Sequence, residues 1–327
     1  MGYKGVMNAV HHLARAALLC AVLIGAASVA PPAAAQPCDA ALLRQLPARA
    51  ADAAGGSEIA RRVEAISGSE RDAVFVAELL AGNLPDFLRT LVAVALPAPR
   101  GGATVTACVL PDYLAVGSDR DFLLVPMGLA GALAVAQRSG FTLPTTRLVD
   151  AIYAQATLRL APRPLPASDA MRSTAYLRNH DHIVDQQRSA AGGLLGWLIA
   201  GHKKDLVLTN RLWRALDRVA IYGWHRAPQD PIQTLSTVHG ARYADYSHGV
   251  RLVSTVVYVD GAPRPIAAAL ADPVLAPALS AEGPIPNLEG LTAALSAPPA
   301  RAAALDTATT FCSSGNPGDS SGGCARP

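Results

Sequence analysis

The sequence predicts an α+β protein, a helical N-terminal half followed by a compact β-rich C-terminal half. Three observations carry that expectation. Up to about residue 160 most apolar residues recur at helical spacing behind capping serines and threonines. Beyond residue 190 they fall into short runs separated by turn residues, and the three prolines within 161–166 mark the change of texture.

Taken in order, Lys4, His11, His12 and Arg15 precede an apolar run at 16–30, and Ala33, Ala34 and Ala35 follow. Basic, apolar and small-residue segments in that order predict a signal peptide over residues 1–35, cut after Ala35. The run is shorter than the roughly 20 residues a helical span needs. Charges and prolines interrupt every later candidate, so no membrane span is expected in the mature chain. The protein is accordingly expected to be periplasmic or secreted.

Residues 36–160 read as the helical region. Ser57 and Ser69 look like N-caps, and the run at 73–80 stops at Gly82-Asn83. Pro85 opens another predicted helix through Leu96, and a Pro/Gly break at 97–102 leads into a strand at 104–110. Helices follow at 128–138 and from Thr145 or Thr146 to Ala156. The α+β region, residues 167–300, opens with a helix over 168–188. Strands are expected at 194–200, 205–209, 218–224, 232–238 and 250–259, with Asp260-Gly261 as a hairpin turn. Residues 301–327 read as a flexible tail.

Cys20 leaves with the signal peptide, and the other four cysteines suit two disulfides, for which three pairings exist. Cys312 with Cys324, flanking a Gly/Ser-rich loop, and Cys38 with Cys108 is the preferred set. A net charge of +3 without a basic stripe argues against a nucleic-acid partner.

Function concentrates in one window. Apart from His11 and His12, every histidine (His180, His182, His202, His225, His239 and His248) lies between positions 180 and 248, with all three tryptophans. Side chains that titrate near neutrality and bind metals are the raw material of a site. His182 beside Asp185 is the one way the His180-Asp181-His182 run could join a site through its helix. Gly201 to Asp205 enters a strand, where alternation would place His202 and Lys204 on one face. Tyr222 to His225 closes another strand. The densest stretch runs from Val238 to Arg251.

Two chemistries and one binding role follow. A metal-dependent hydrolase would draw its ligands from His202, Asp205, His225, His239 and His248, with zinc as the cofactor and Asp245 as second partner or base. Metal-free acyl transfer would use Ser247 as nucleophile and His239 or His225 as base, with Lys204 or Arg251 stabilising the oxyanion and His248 nearby. Arg251 would also suit a carboxylate-bearing substrate. The binding alternative is a non-catalytic envelope protein that holds glycan or peptide in a His/Tyr/Trp cleft.

The pieces Val238-His239-Gly240 and Ser247-His248-Gly249-Val250-Arg251-Leu252 resemble the catalytic signature of the L,D-transpeptidases, in which a His-Gly pair precedes Ser-His-Gly-Cys-(Ile/Val)-Arg. The resemblance spans about 15 residues of 327 and implies peptidoglycan as the substrate class. Here Val250 follows Gly249 where the family has its nucleophilic cysteine, and the gap between the pieces is shorter, which argues against transpeptidation by cysteine. The expected function is thus an exported His/Asp-based hydrolase of a cell-wall or other extracytoplasmic polymer. Gly318 to Gly323, which nearly spells a serine-protease motif, reads as low-complexity tail.

Overall fold

The computed structural model describes Cys38, residues 46–97 and residues 102–297, all belonging to one compact unit. The expected signal segment, the Cys312–Cys324 pairing and the 301–327 tail lie outside these residues.

Helices α1 (Gly56–Arg62) and α2 (Gly68–Leu80) come first. Gly55 and Ser67 occupy their N-cap positions, and Ser57 instead donates from N and Oγ to Asp121 at 2.9 and 2.8 Å. A 3-10 turn, Asp86–Arg89, then delivers the chain into β1 (Val92–Pro97), where the sequence reading has a helix through Leu96. Val94 and Leu96 are buried while Ala95 between them is exposed, a period of two that a helix cannot satisfy. β1 forms an antiparallel hairpin with β2 (Thr104–Val109). β3 (Ala115–Ser118) and β4 (Asp121–Leu124) form a second hairpin. There follow α3 (Leu129–Arg138), β5 (Phe141–Thr142), α4 (Thr146–Gln155) and β6 (Leu158–Arg159). Thr145 does cap α4, its side chain accepting from the Leu148 N–H at 3.3 Å.

A helical N-terminal half is therefore overturned: strands begin at Val92 and interleave with helices from there on. The strands of the first half, β1 to β6, last only two to six residues, too brief for spacing to separate strand from helix.

After the prolines a 3-10 turn (Asp169–Arg172) leads into α5 (Thr174–Ala190) and then β7 (Ile199–Ala200), β8 (Lys204–Leu206), β9 (Ile221–Ala227) and β10 (Asp230–Ser236). β11 (His248–Gly249), β12 (Val253–Val259), β13 (Ala262–Pro265), α6 (Ile266–Ala271), α7 (Ala276–Leu279) and α8 (Leu288–Ser296) complete the described chain. The β12–β13 turn has Asp260 at φ 48° and Gly261 at φ 86°, the left-handed pair a two-residue hairpin requires.

One sheet has the order β1-β2-β12-β13, with β5 also paired to β12; a second has the order β10-β9-β8-β11. Because β2 pairs with β12 and β6 with β7, residues on both sides of the 161–166 stretch share strand pairing. Val94, Val105, Val109, Val253 and Val257 pack with Leu79, Leu133, Ile152 and Leu291 in one apolar core.

Cys38 and Cys108 are disulfide-bonded, tying Cys38 to the buried strand β2. The linked cysteines are 70 residues apart in sequence, and a loop of that order restricts the unfolded chain by about 4 kcal/mol in the entropic account. A Cys38→Ser, Cys108→Ser double variant should lose about 2–4 kcal/mol in denaturant unfolding. An unchanged midpoint would show that the bridge contributes nothing.

Candidate functional site

The second sheet builds the site around β8. Lys204 pairs with Gly223 on β9, and His248 on β11 runs parallel to β8 in register with Lys204. Sequence-distant residues 204, 224 and 248 thereby meet. Gly201 (φ 102°) lies in a bend ahead of β8, so alternation begins only at Lys204. His202 and Lys204 consequently do not share surroundings: His202 faces Tyr113 and Asp112, whereas Lys204 lies against Trp224. Trp224 itself holds φ 58°, a conformation few side chains adopt.

The turn before β11 is fixed by Asp245. Its Oδ1 accepts both the N–H and the hydroxyl of Ser247, at 2.8 and 2.5 Å, a side-chain-closed turn that aspartate favours. Its Oδ2 accepts from the Tyr243 hydroxyl at 3.2 Å and lies 3.9 Å from Lys204 Nζ and 4.0 Å from His248 Nε2. Lys204 Nζ also stands 5.0 Å above the Trp224 ring. His239 lies flat on Tyr243, with centroids 4.0 Å apart and planes 9° apart, and 6.4 Å from the His248 ring. Arg172 covers Tyr243 at 5.7 Å. His239, His248, Asp245 and Lys204, four of the residues singled out from sequence, thus form one cluster.

Ser247 and Arg251 lie in the interior rather than in the outward-facing part of the cluster. Ser247 is wholly buried and its hydroxyl is committed to Asp245, so it offers no nucleophile to an outside substrate. Arg251 is equally buried, donating to Leu110 O at 2.8 Å and Ile199 O at 2.6 Å and stacking on Tyr113 at 4.3 Å. It meets carbonyls of the interior rather than a substrate carboxylate or an oxyanion. Both corrections have one physical reason: extended alternation does not persist through residues 247–252, where the strand lasts only for His248–Gly249.

The five proposed metal ligands also separate. His202 Nε2 is 3.2 Å from Asp112 Oδ1, close but poorly aligned for a hydrogen bond. Asp205 accepts from the Tyr113 hydroxyl at 2.8 Å, and His225 Nε2 is 2.9 Å from Asp150 Oδ1. His239 and His248 sit in the cluster described above. Among the described residues no three His, Cys, Asp or Glu side chains are grouped to hold a metal ion.

Several contributors escaped the sequence reading. Tyr243 and Trp224 entered the sequence reading only as unspecified members of a His/Tyr/Trp cleft, and Lys203 has no role there. Lys203 is buried, donates to Tyr246 O at 2.7 Å and lies 3.2 Å from His180 Nδ1. Asp112 and Tyr113 carry no sequence signal at all, because they lie far from the histidine window and reach it only through the fold. His182, by contrast, meets Gln186 at 3.0 Å on the exposed side of α5.

Burial sets the electrostatics. It lowers the His248 pKa to about 4, with Asp245 opposing and Lys204 reinforcing the shift. It lowers His239 as well, again against Asp245. Burial would raise Asp245, yet His248, Lys204 and the Ser247 hydrogen bonds hold it below its ordinary value. Lys203 falls to about 8, chiefly through burial, despite the attraction of Asp181 and Asp245. At neutral pH the cluster therefore presents two neutral imidazoles beside an ionised carboxylate.

His248 gives a pH prediction with a definite sign. Its folded pKa lies below the ordinary 6.5, so between those values the unfolded chain binds a proton the folded chain refuses. Stability is unaffected by this group above the ordinary value and is lost on acidification toward pH 4, by up to about 1.4 kcal/mol per pH unit. Asp205, raised to about 6 by burial, acts oppositely, losing stability as pH rises through that range. A His248→Asn variant should therefore show a smaller stability loss than the parent from pH 6.5 to 4 in urea unfolding. Identical slopes would sink the assignment. Comparison with protein-family models, curated proteins and solved structures finds no match to this chain.

Proposed function

We propose that this chain is an exported envelope protein that binds a carboxylate-bearing peptide or glycan on the His239–Tyr243 face. The observation that carries the reading is the flat His239–Tyr243 stack with Arg172 over it and Lys204 beside it. Planar rings offer an apolar platform to a sugar ring or peptide plane, and the two cations suit a carboxylate. The half-buried state of both rings leaves that platform within reach of a ligand.

Two further points support the ligand class and the compartment. The resemblance of residues 238–240 and 247–252 to the L,D-transpeptidase signature suggests peptidoglycan stem peptides as the ligand. Val250, at the position of that family's cysteine, is fully buried and accepts from the Leu114 N–H at 2.8 Å, so binding does not depend on a thiol. The Cys38–Cys108 bridge fits an oxidising compartment.

Binding of soluble disaccharide-peptide fragments of peptidoglycan, followed by calorimetry, tests the reading. Tyr243→Ala should weaken binding about tenfold, a loss of about 1.4 kcal/mol. Lys204→Met should weaken it several-fold and flatten its salt dependence. Absence of binding by the parent protein to fragments with free carboxylates would end the proposal, as would equal affinity for fully amidated fragments.

A further inference from the structure

We propose that the same face also cleaves what it binds, hydrolysing an amide bond of a carboxylate-bearing peptide with His239 as general base. This rests on the binding reading above. His239 is held from two directions: its carbonyl accepts from the Val219 N–H at 3.0 Å, and its ring lies flat on Tyr243. Gly240, the next residue, is bridged to Arg218. The backbone at His239 is thus pinned, and the plane of the imidazole is set by the Tyr243 stack before any ligand arrives.

The groups behind it match what the reaction requires. Asp245 is 1% exposed and carries a negative charge that favours the imidazolium formed when His239 takes a proton. Lys204 Nζ, 3.9 Å from Asp245, supplies positive charge for a developing oxyanion. His248 is fully buried, and neither ring nitrogen has a hydrogen-bond partner among the described residues. Leaving a buried polar group unmet costs about 1–3 kcal/mol, a cost the fold does not need, since an apolar ring would fill the space. Asp245 itself is positioned by the N–H and hydroxyl of Ser247 and by the Tyr243 hydroxyl.

In the step, a water oxygen bonds to the amide carbon while its proton passes to the free ring nitrogen of His239. The carbonyl electron pair moves onto oxygen beside Lys204. Collapse of that intermediate breaks the carbon–nitrogen bond, and His239 returns the proton to the departing amine. One water is consumed, and a carboxylate and an amine result. Ser247 takes no part, being buried beneath Asp245.

The test incubates the purified chain with disaccharide-peptide fragments of peptidoglycan and follows both calorimetry and mass spectrometry. Paired products whose masses sum to substrate plus one water are expected. His239→Gln, checked by its melting temperature, should lose kcat at saturating fragment on the order of 100-fold, whatever the change in affinity. The parent enzyme's kcat should fall on acidification with an apparent pKa below the ordinary histidine value, a readout that needs no variant. Binding without products overturns hydrolysis and leaves the binding role. Absence of binding removes the ground for both. Products formed by folded His239→Gln at the parent rate, or a flat pH profile, overturn the assignment of the base.

Discussion

A buried guanidinium holds this structure together. Arg251, wholly removed from solvent, donates to the carbonyls of Leu110 at the end of β2 and Ile199 in β7 and lies over the Tyr113 ring. Three stretches distant in sequence are fixed by one side chain. A buried charge without such partners costs several kcal/mol, so the position tolerates little else. Tyr113 extends the tie by donating to Asp205 next to β8's Lys204. Its neighbour Asp112 pairs with Arg188 of α5 at 2.6 Å, which lets that carboxylate stay ionised although burial alone would oppose it.

The candidate site inherits its place from this arrangement. Fixing Asp205 fixes β8, and β8 sets Lys204 beside His248 through the parallel pairing with β11. Lys203, on the same segment, reaches inward to the Tyr246 carbonyl and so pins the turn that carries Asp245 and Ser247. At the site, His239, Tyr243, Arg172 and part of Lys204 face outward from this interior polar network. The interior fixes the orientation and charge of the cluster, and under the proposed binding role the outer ring pair would make the contact.

Burial also explains why the cluster has its particular charge state. Imidazoles lose their proton when taken out of water, and carboxylates do so only when cations or hydrogen bonds compensate. His248 has a carboxylate at 4.0 Å but no hydrogen bond, and it stays neutral; Asp245 has two hydrogen bonds from Ser247 and stays ionised. Neutral imidazoles therefore lie beside an ionised carboxylate in this cluster.

Local chemistry was legible in the sequence. The hairpin at Asp260-Gly261 and the cap at Thr145 each depend on one or two residues whose own preferences decide the outcome, whereas Cys38–Cys108 was one of three pairings the cysteine count allowed. The crowding of His239, Asp245 and His248 was legible because all three fall within ten consecutive residues. Long-range pairing was not. β1 reads as helix because the run of Val, Ala and Leu over residues 92–96 fits either period, and only pairing with β2 chooses the strand. Arg251 and Ser247 read as reactive because an extended chain would present them, while the tertiary structure turns both into the interior. The sequence by itself determined which residues could do chemistry; the fold decided which of them meet and which face water, because that depends on partners far along the chain.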